Sequence, residues 1–156
     1  MKPVYLFDWG DTLMVDFPTE QGKMCEWETV QAVDGAYELL SQLTGHAVIY
    51  IATGAAESSA SEIEQAFARV GLSQFITGYF CQANLGIAKG EPEFLAAILA
   101  KINADKSSTY MVGDSLTKDV MPALNAGIQP IWYRRNSSEL VPSGVRVISS
   151  LSELSS

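Results

Sequence analysis

The chain is poor in the residues that bind transition metals or staple small folds. Its 156 residues include two cysteines, Cys25 and Cys81. They stand singly rather than in metal-type pairs and read as reduced thiols without a structural disulfide. Histidine occurs once, at His46, just before an apolar run, where a structural or exposed role is expected. Positive charge is scarce as well: ten basic residues face eighteen acidic ones, for a net charge of −8. Such a surface repels nucleic acid and anionic lipid, so neither is expected as a partner. No apolar stretch approaches the length of a bilayer span. The opening residues, MKPVYLFDWG, meet an acid too early for a secretory leader. A cytoplasmic protein is the expectation.

What remains is a globular composition, 47% apolar and 18% charged, without internal repeats or a low-complexity linker. The length suits one domain with its own core. Residues 1–156 are read as that single core domain, carrying a short insert at about 14–33.

Apolar segments of two periods alternate along it. Short runs rich in aromatic and β-branched residues predict strands at 3–8, 47–53, 75–81, 108–114, 128–133 and 145–148. Between them, helical spacing predicts helices over 34–43, with Tyr37, Leu40 and Leu43 on one face, and over 57–71, with Ile63, Phe67 and Val70. Further helices are expected over 92–102, opened by Pro92, and over 119–127, closed by Gly127, with a last turn at 150–154. Strands separated by such helices form βαβ units, hence a parallel sheet covered on both faces. Right-handed crossovers put every strand's carboxyl end on one edge, where ligands of open sheets bind. Asp8, Thr53 and Asp114 sit at three such ends and should converge.

Two carboxylates at neighbouring strand ends repel unless a cation lies between them. Asp8 and Asp114 are suited to ligate Mg²⁺, which takes oxygen donors and keeps several waters. The carbonyl of Gly10 could complete the protein's share. A second oxygen of Asp8 would face phosphorus, since carboxylates serve as nucleophiles in aspartyl-phosphate chemistry. Thr53 offers a hydroxyl and Gly54 an unobstructed N–H for phosphate oxygens. Lys89, in a loop before a helix, could neutralise charge during transfer, and Asp119 could orient Lys89 or a metal-bound water. Each residue also has a plainer reading: Thr53 as the cap of the following helix, Lys89 as a solvated surface lysine, Asp11 as a turn acid.

In order, these segments resemble the haloacid dehalogenase (HAD) superfamily. FDWGDTL (7–13) is similar to its first motif, with Asp8 in the nucleophile's place, and IYIATG (49–54) to its second, with Thr53. LGIAKGEPEF (85–94) is similar to the third, with Lys89. MVGDSLTKDV (111–120) matches the fourth, with Asp114 as metal ligand and Asp119 as its acidic companion. The resemblance covers nearly the whole chain. It implies a Rossmann-like three-layer α/β/α sandwich with a mainly parallel sheet, Mg²⁺ dependence and hydrolysis of a phosphate ester or phosphonate-type substrate. That substrate would be a phosphorylated small molecule or a larger phosphorylated partner.

Two departures shape the expected activity. Phosphatases of the family carry a second aspartate two residues after the nucleophile, which protonates the leaving group and later activates water; here that position is Gly10. Asp11 lies one residue further on, and a one-residue shift redirects its side chain. The phosphonoacetaldehyde hydrolase (phosphonatase) branch also lacks this aspartate, and DWGDT resembles its pattern. That branch uses a cap-domain lysine as a Schiff base, whereas neither 14–33 nor the Thr53–Lys89 interval has the length of a cap domain. Lys23 lies in the insert without a sign that it reaches the site. The expectation is a capless core that hydrolyses slowly; the alternative is a non-catalytic descendant that binds Mg²⁺ and a phosphoryl ligand or acts in assembly. The insert's Phe17, Met24 and Trp27 suit a lid, core cover or a subunit interface, which leaves a homo-oligomer open.

Overall fold

A computed structural model describes residues 2–17, 19–55, 58–134 and 139–154. Among these, six strands form one sheet: β1 (Val4–Phe7), β2 (Val48–Ala52), β3 (Gly78–Phe80), β4 (Thr109–Gly113), β5 (Gln129–Tyr133) and β6 (Arg146–Ile148). The order across the sheet is β3-β2-β1-β4-β5-β6, and each neighbouring pair runs parallel. The chain winds outward from β1 in one direction, then returns to β4 and winds outward in the other. The register sets Phe7 beside Ile51 on one side and beside Val112 on the other. Strands β1, β2 and β4 therefore end level with one another at the point where the winding reverses, which is where open α/β sheets form their ligand crevice.

The strands carry apolar residues on both faces because both are covered. Phe7, Ile49, Ile51 and Val112 belong to one buried cluster, Leu6, Ala52 and Met111 to a second. Helices α1 (Ala36–Leu43) and α2 (Ala60–Ala68) supply Leu39, Leu40, Ile63 and Phe67 to the first cluster, and α4 (Pro92–Ile102) supplies Phe94 and Ile98 to the second. Ala123 of α5 (Met121–Ala126) joins that second cluster. The three-layer α/β/α architecture expected from the alternating segments is thus the one observed.

The differences are local. The strand expected over 75–81 is limited to three residues, because Ser73–Phe75 turns as a 3₁₀ segment and Gln82–Leu85 forms the short helix α3. The helix expected over 57–71 begins at Ala60; Ser59 caps it, accepting from Glu62 N while Glu62 accepts from Ser59 N. Position 57 lies outside the described residues. On α1, Tyr37 is 48% exposed rather than buried, set edge-on to Phe75, and Leu39 takes the core position. Before α5 the chain makes a wide π turn, Leu116–Val120. None of the described helices is long and apolar enough to cross a membrane.

The insert folds as a hairpin-like excursion. Val15 N donates to Gln31 O at 2.8 Å, and Val33 N donates to Leu13 O at 2.8 Å. Its far end is pinned to α2. The Arg69 guanidinium, at the end of that helix, donates to the carbonyls of Met24, Cys25, Trp27 and Glu28, and Lys23 pairs with Glu62 at 2.6 Å. Met24 and Trp27 are buried in the first core cluster, with Phe17 packed against it.

Candidate active site

At the carboxyl ends of β1, β2 and β4 lies a cavity of about 570 Å³. Asp8, Thr53 and Asp114, the three strand-end residues, all line it, with Gly10, Gly54, Lys89 and Asp119. These expected positions are therefore brought together. Asp11 is not among the lining residues. Its backbone is left-handed (φ 61), and its Oδ1 accepts from Asp16 N at 3.0 Å. The turn-acid reading describes it.

Lys89 is the centre of the arrangement rather than a solvated lysine: its side chain is 4% exposed. The ammonium donates to Asp8 Oδ1 at 2.6 Å and to Ala52 O at 3.0 Å, and pairs with Asp119 Oδ1 at 2.6 Å. Burial alone would lower its pKa, but the carboxylates of Asp8 and Asp119 outweigh burial and raise it, so the cation is fixed. Asp8 also accepts from Thr12 Oγ1 at 3.1 Å through its other oxygen. Thr12 is fully buried, a role for this residue that the motif alone had not indicated.

Asp119 reaches the site because the π turn directs it back beneath β4. Its Oδ2 accepts from Ser115 N at 3.0 Å. A β-carbon on Gly113 would stand 2.2 Å from Asp119 Oδ2, so glycine at the end of β4 is required by close approach, not by backbone angle. Burial pushes the Asp119 carboxyl up to about 6, the nearby Lys89 offsetting only part. Asp114 is pushed up to about 7, first by burial, then by contact with Asp8 and by the like charges of Asp119 and Asp11.

Asp8, Asp114 and Asp119 each present an oxygen within 4.8 Å of the others. One buried ammonium leaves this trio two negative charges in excess, which a divalent cation would cancel. Hard carboxylate donors in a cavity open to water are the donor set Mg²⁺ favours, so the residues present fit the ion. Both oxygens of Asp119 already have protein partners. Asp119 is also almost fully buried, whereas Asp8 and Asp114 are part-exposed to the cavity and so more accessible to an ion. Asp8 and Asp114, with the Gly10 carbonyl, are therefore the better ligand set, with Asp119 as support.

Thr53 does not cap a helix, since Ser59 holds that place on α2. Its Oγ1 accepts from Ala55 N at 3.2 Å, which leaves the hydroxyl proton for a ligand. Gly54 packs against the Lys89 stem, a β-carbon there lying 3.5 Å from Lys89 Cβ. Sequence reasoning missed four lining residues with charged or hydroxyl side chains: Asp16, Ser58, Ser115 and Lys118. Lys118 and Ser115 stand within the fourth motif, so that signal was available; Asp16 and Ser58 had none. The insert reaches the cavity too. Lys23, Met24 and Trp27 line one wall, so the segment is core cover whose edge shapes the site. The Lys23 pKa is raised by its hydrogen bond to Glu62.

A family model described as haloacid dehalogenase-like hydrolase matches residues 4–127. Pyrimidine 5′-nucleotidase YjjG of Escherichia coli is 29% identical over 157 residues, covering 94% of this chain and 66% of that protein. Pyrimidine 5′-nucleotidase PynA of Streptococcus pneumoniae is 32% identical over 112 residues, 70% of this chain and 46% of its own. The chain thus spans about half to two thirds of the length of these relatives. An uncharacterised Listeria monocytogenes protein superposes with a TM-score of 0.86 at 19% identity, over 97% of this chain and 94% of that one. The HAD-hydrolase YfnB of Bacillus subtilis, in a crystal form bound to magnesium, superposes with a TM-score of 0.75 at 18% identity, over 98% and 96%. At these identities the structural likeness is one of fold.

Proposed function

The chain belongs to the haloacid dehalogenase-like hydrolases, whose family model spans residues 4–127, and on that footing we propose that it is a Mg²⁺-dependent phosphatase of phosphorylated small molecules with Asp8 as nucleophile. The observation that carries this reading is the clamp on Asp8. One oxygen is held by Lys89 and the other by Thr12, at a strand end inside a cavity, so the carboxylate is oriented before substrate arrives. Asp8, Asp114 and the Gly10 carbonyl would hold Mg²⁺. Bound there, the ion would shield the acids from an incoming phosphate and offset charge on its oxygens. The Thr53 hydroxyl, the Gly54 N–H and the Lys89 ammonium would bind the phosphoryl oxygens. Asp119 keeps Lys89 in place. Asp8 then attacks phosphorus, the ester oxygen leaves, and water hydrolyses the aspartyl phosphate.

Two relatives are named as pyrimidine 5′-nucleotidases, and the cavity wall of Met24 and Trp27 suits an organic group attached to phosphate. A nucleoside monophosphate is therefore the first substrate class to assay. A phosphonatase-type reaction has less support, although DWGDT resembles that branch. Its amine must be neutral to form a Schiff base, whereas pairing with Glu62 favours the Lys23 ammonium. We read the core as capless, the 14–33 insert covering the site, and the protein as cytoplasmic. The non-catalytic alternative draws on Gly10, which supplies no carboxyl group.

A panel of nucleoside monophosphates and p-nitrophenyl phosphate, assayed with and without Mg²⁺, tests the proposal. Hydrolysis should require the ion and should vanish in Asp8→Asn. Binding of beryllium fluoride and Mg²⁺ without any turnover would favour the non-catalytic reading.

A further inference from the structure

An alkyl phosphate needs a proton delivered to its ester oxygen as the P–O bond breaks, and the water that frees the enzyme needs one removed. Resting on the hydrolase reading above, we propose that Asp16 carries that proton in both directions. Among the described residues lining the cavity, four bear carboxylates: Asp8, Asp16, Asp114 and Asp119. Asp8, Asp114 and Asp119 form one cluster, in which Lys89 joins Asp8 to Asp119. Asp16 stands outside it, exposed. Among the described residues its carboxylate makes no ion pair or hydrogen bond.

Its place relative to Gly10 is the second observation. A β-carbon on Gly10 would lie 3.6 Å from Asp16 Cβ and 3.8 Å from Asp16 Oδ2. The Asp16 carboxylate therefore lies beside the place where a side chain two residues beyond Asp8 would begin. Gly10 does not have the positive φ that would make glycine necessary for its backbone. A β-carbon there would touch Asp16 at ordinary van der Waals distance, so Asp16 flanks the place a side chain at residue 10 would take.

The loop that presents Asp16 is braced. Asp16 N donates to Asp11 Oδ1 at 3.0 Å, Asp11 N donates to Met14 O at 2.6 Å, and Val15 N donates to Gln31 O at 2.8 Å. Asp11 is thus a positioning residue for Asp16.

The proton balance closes on Asp16 alone. As the Asp8 carboxylate forms its bond to phosphorus and the P–O ester bond breaks, protonated Asp16 gives its proton to the departing alkoxide. The Asp16 carboxylate then takes a proton from water as that water's oxygen attacks the phosphorus of the aspartyl phosphate. Asp8 leaves as a carboxylate, inorganic phosphate forms, and Asp16 is protonated again.

Asp16→Asn tests this with two donors, glycerol phosphate and p-nitrophenyl phosphate, in Mg²⁺. The aryl leaving group departs without a proton, so the variant should release one equivalent of nitrophenol and stall, and intact-mass spectrometry should find the phosphorylated chain accumulating. Turnover of glycerol phosphate should fall by ~10²–10⁴-fold. Asp16→Ala should behave as Asp16→Asn does, and adding Gly10→Asp to Asp16→Ala should restore turnover of both, as it brings a carboxyl beside the place the shortened side chain vacates. Asp11→Asn, which keeps an acceptor for Asp16 N, should retain alkyl turnover, whereas Asp11→Ala should lose it and keep the aryl burst. Beryllium fluoride binding by Asp16→Asn, measured alongside, reports that the site is intact. Undiminished alkyl turnover in Asp16→Asn, or equal loss of both donors without a burst while beryllium fluoride still binds, overturns the inference and leaves the hydrolase reading standing. An unsubstituted chain that hydrolyses neither donor overturns both.

Discussion

Lys89 Nζ lies 2.6 Å from Asp8 Oδ1 across 81 residues of sequence, and the same ammonium is 2.6 Å from Asp119 Oδ1. One cation thereby joins the acid after β1 to the acid of the turn after β4. It lies at the seam where the sheet reverses direction, and the carboxylates on either side would repel without it.

Replacing Lys89 by Met should strand those carboxylates. Breaking a buried ion pair on one side costs about 3–5 kcal/mol, and that loss is expected near pH 8. At pH 5 it should shrink, because the stranded acids can take up protons. Denaturant titrations at the two values measure it. An equal loss at both would assign the cost to packing of the lysine stem.

Stability should also follow pH in the unsubstituted chain. The folded state holds Asp114 at about 7 and Asp119 at about 6, above the ordinary carboxylate value of 3.8. Between those values the folded chain binds more protons than the unfolded one, so stability declines as pH rises from about 4 to 7. Unfolding with a chelator present should show that decline, and Asp114→Asn should flatten it. Added Mg²⁺ should restore stability at pH 8 and do little at pH 5, where protons compete for the ligands.

Gly113→Ala should force Asp119 out of its place, since the new methyl would stand 2.2 Å from Asp119 Oδ2. Overpacking of this kind costs about 1–3 kcal/mol. A double-mutant cycle with Asp119→Ala checks the cause. The two changes should be non-additive, because the second removes Asp119 Cγ and Oδ2, two of the three atoms that the first collides with, although Cβ at 2.5 Å remains.

Arg69→Ala should loosen the insert without loosening the sheet. It removes guanidinium donors from the carbonyls of Met24, Cys25, Trp27 and Glu28; hydrogen bonds to charged groups contribute about 1.5–3 kcal/mol where buried, less at this partly exposed site. Hydrogen exchange should quicken over residues 19–33 and stay unchanged over α4. Uniform quickening would mean that Arg69 supports the whole fold.

The sequence by itself determined the parallel α/β order and the edge that carries the site. Strand and helix periods are local, and the handedness of crossovers turns a string of them into one sheet with one functional edge. Asp8, Thr53 and Asp114 were legible for that reason, each being the polar residue that ends an apolar strand. Lys89 was legible only through the resemblance, for nothing in LGIAKGEPEF marks its lysine as buried. Tertiary structure alone decided what touches what: that Thr12 holds Asp8, that Gly113 makes room for Asp119, that Lys23 is paired by Glu62, and that Asp16 fills the space beside Gly10. None of these pairs follows from periodicity, because each depends on how a turn or an insert folds back over the sheet edge. There, hydrogen bonds to backbone groups and the room left by Gly113 set the position of a side chain, and its spacing in the sequence does not.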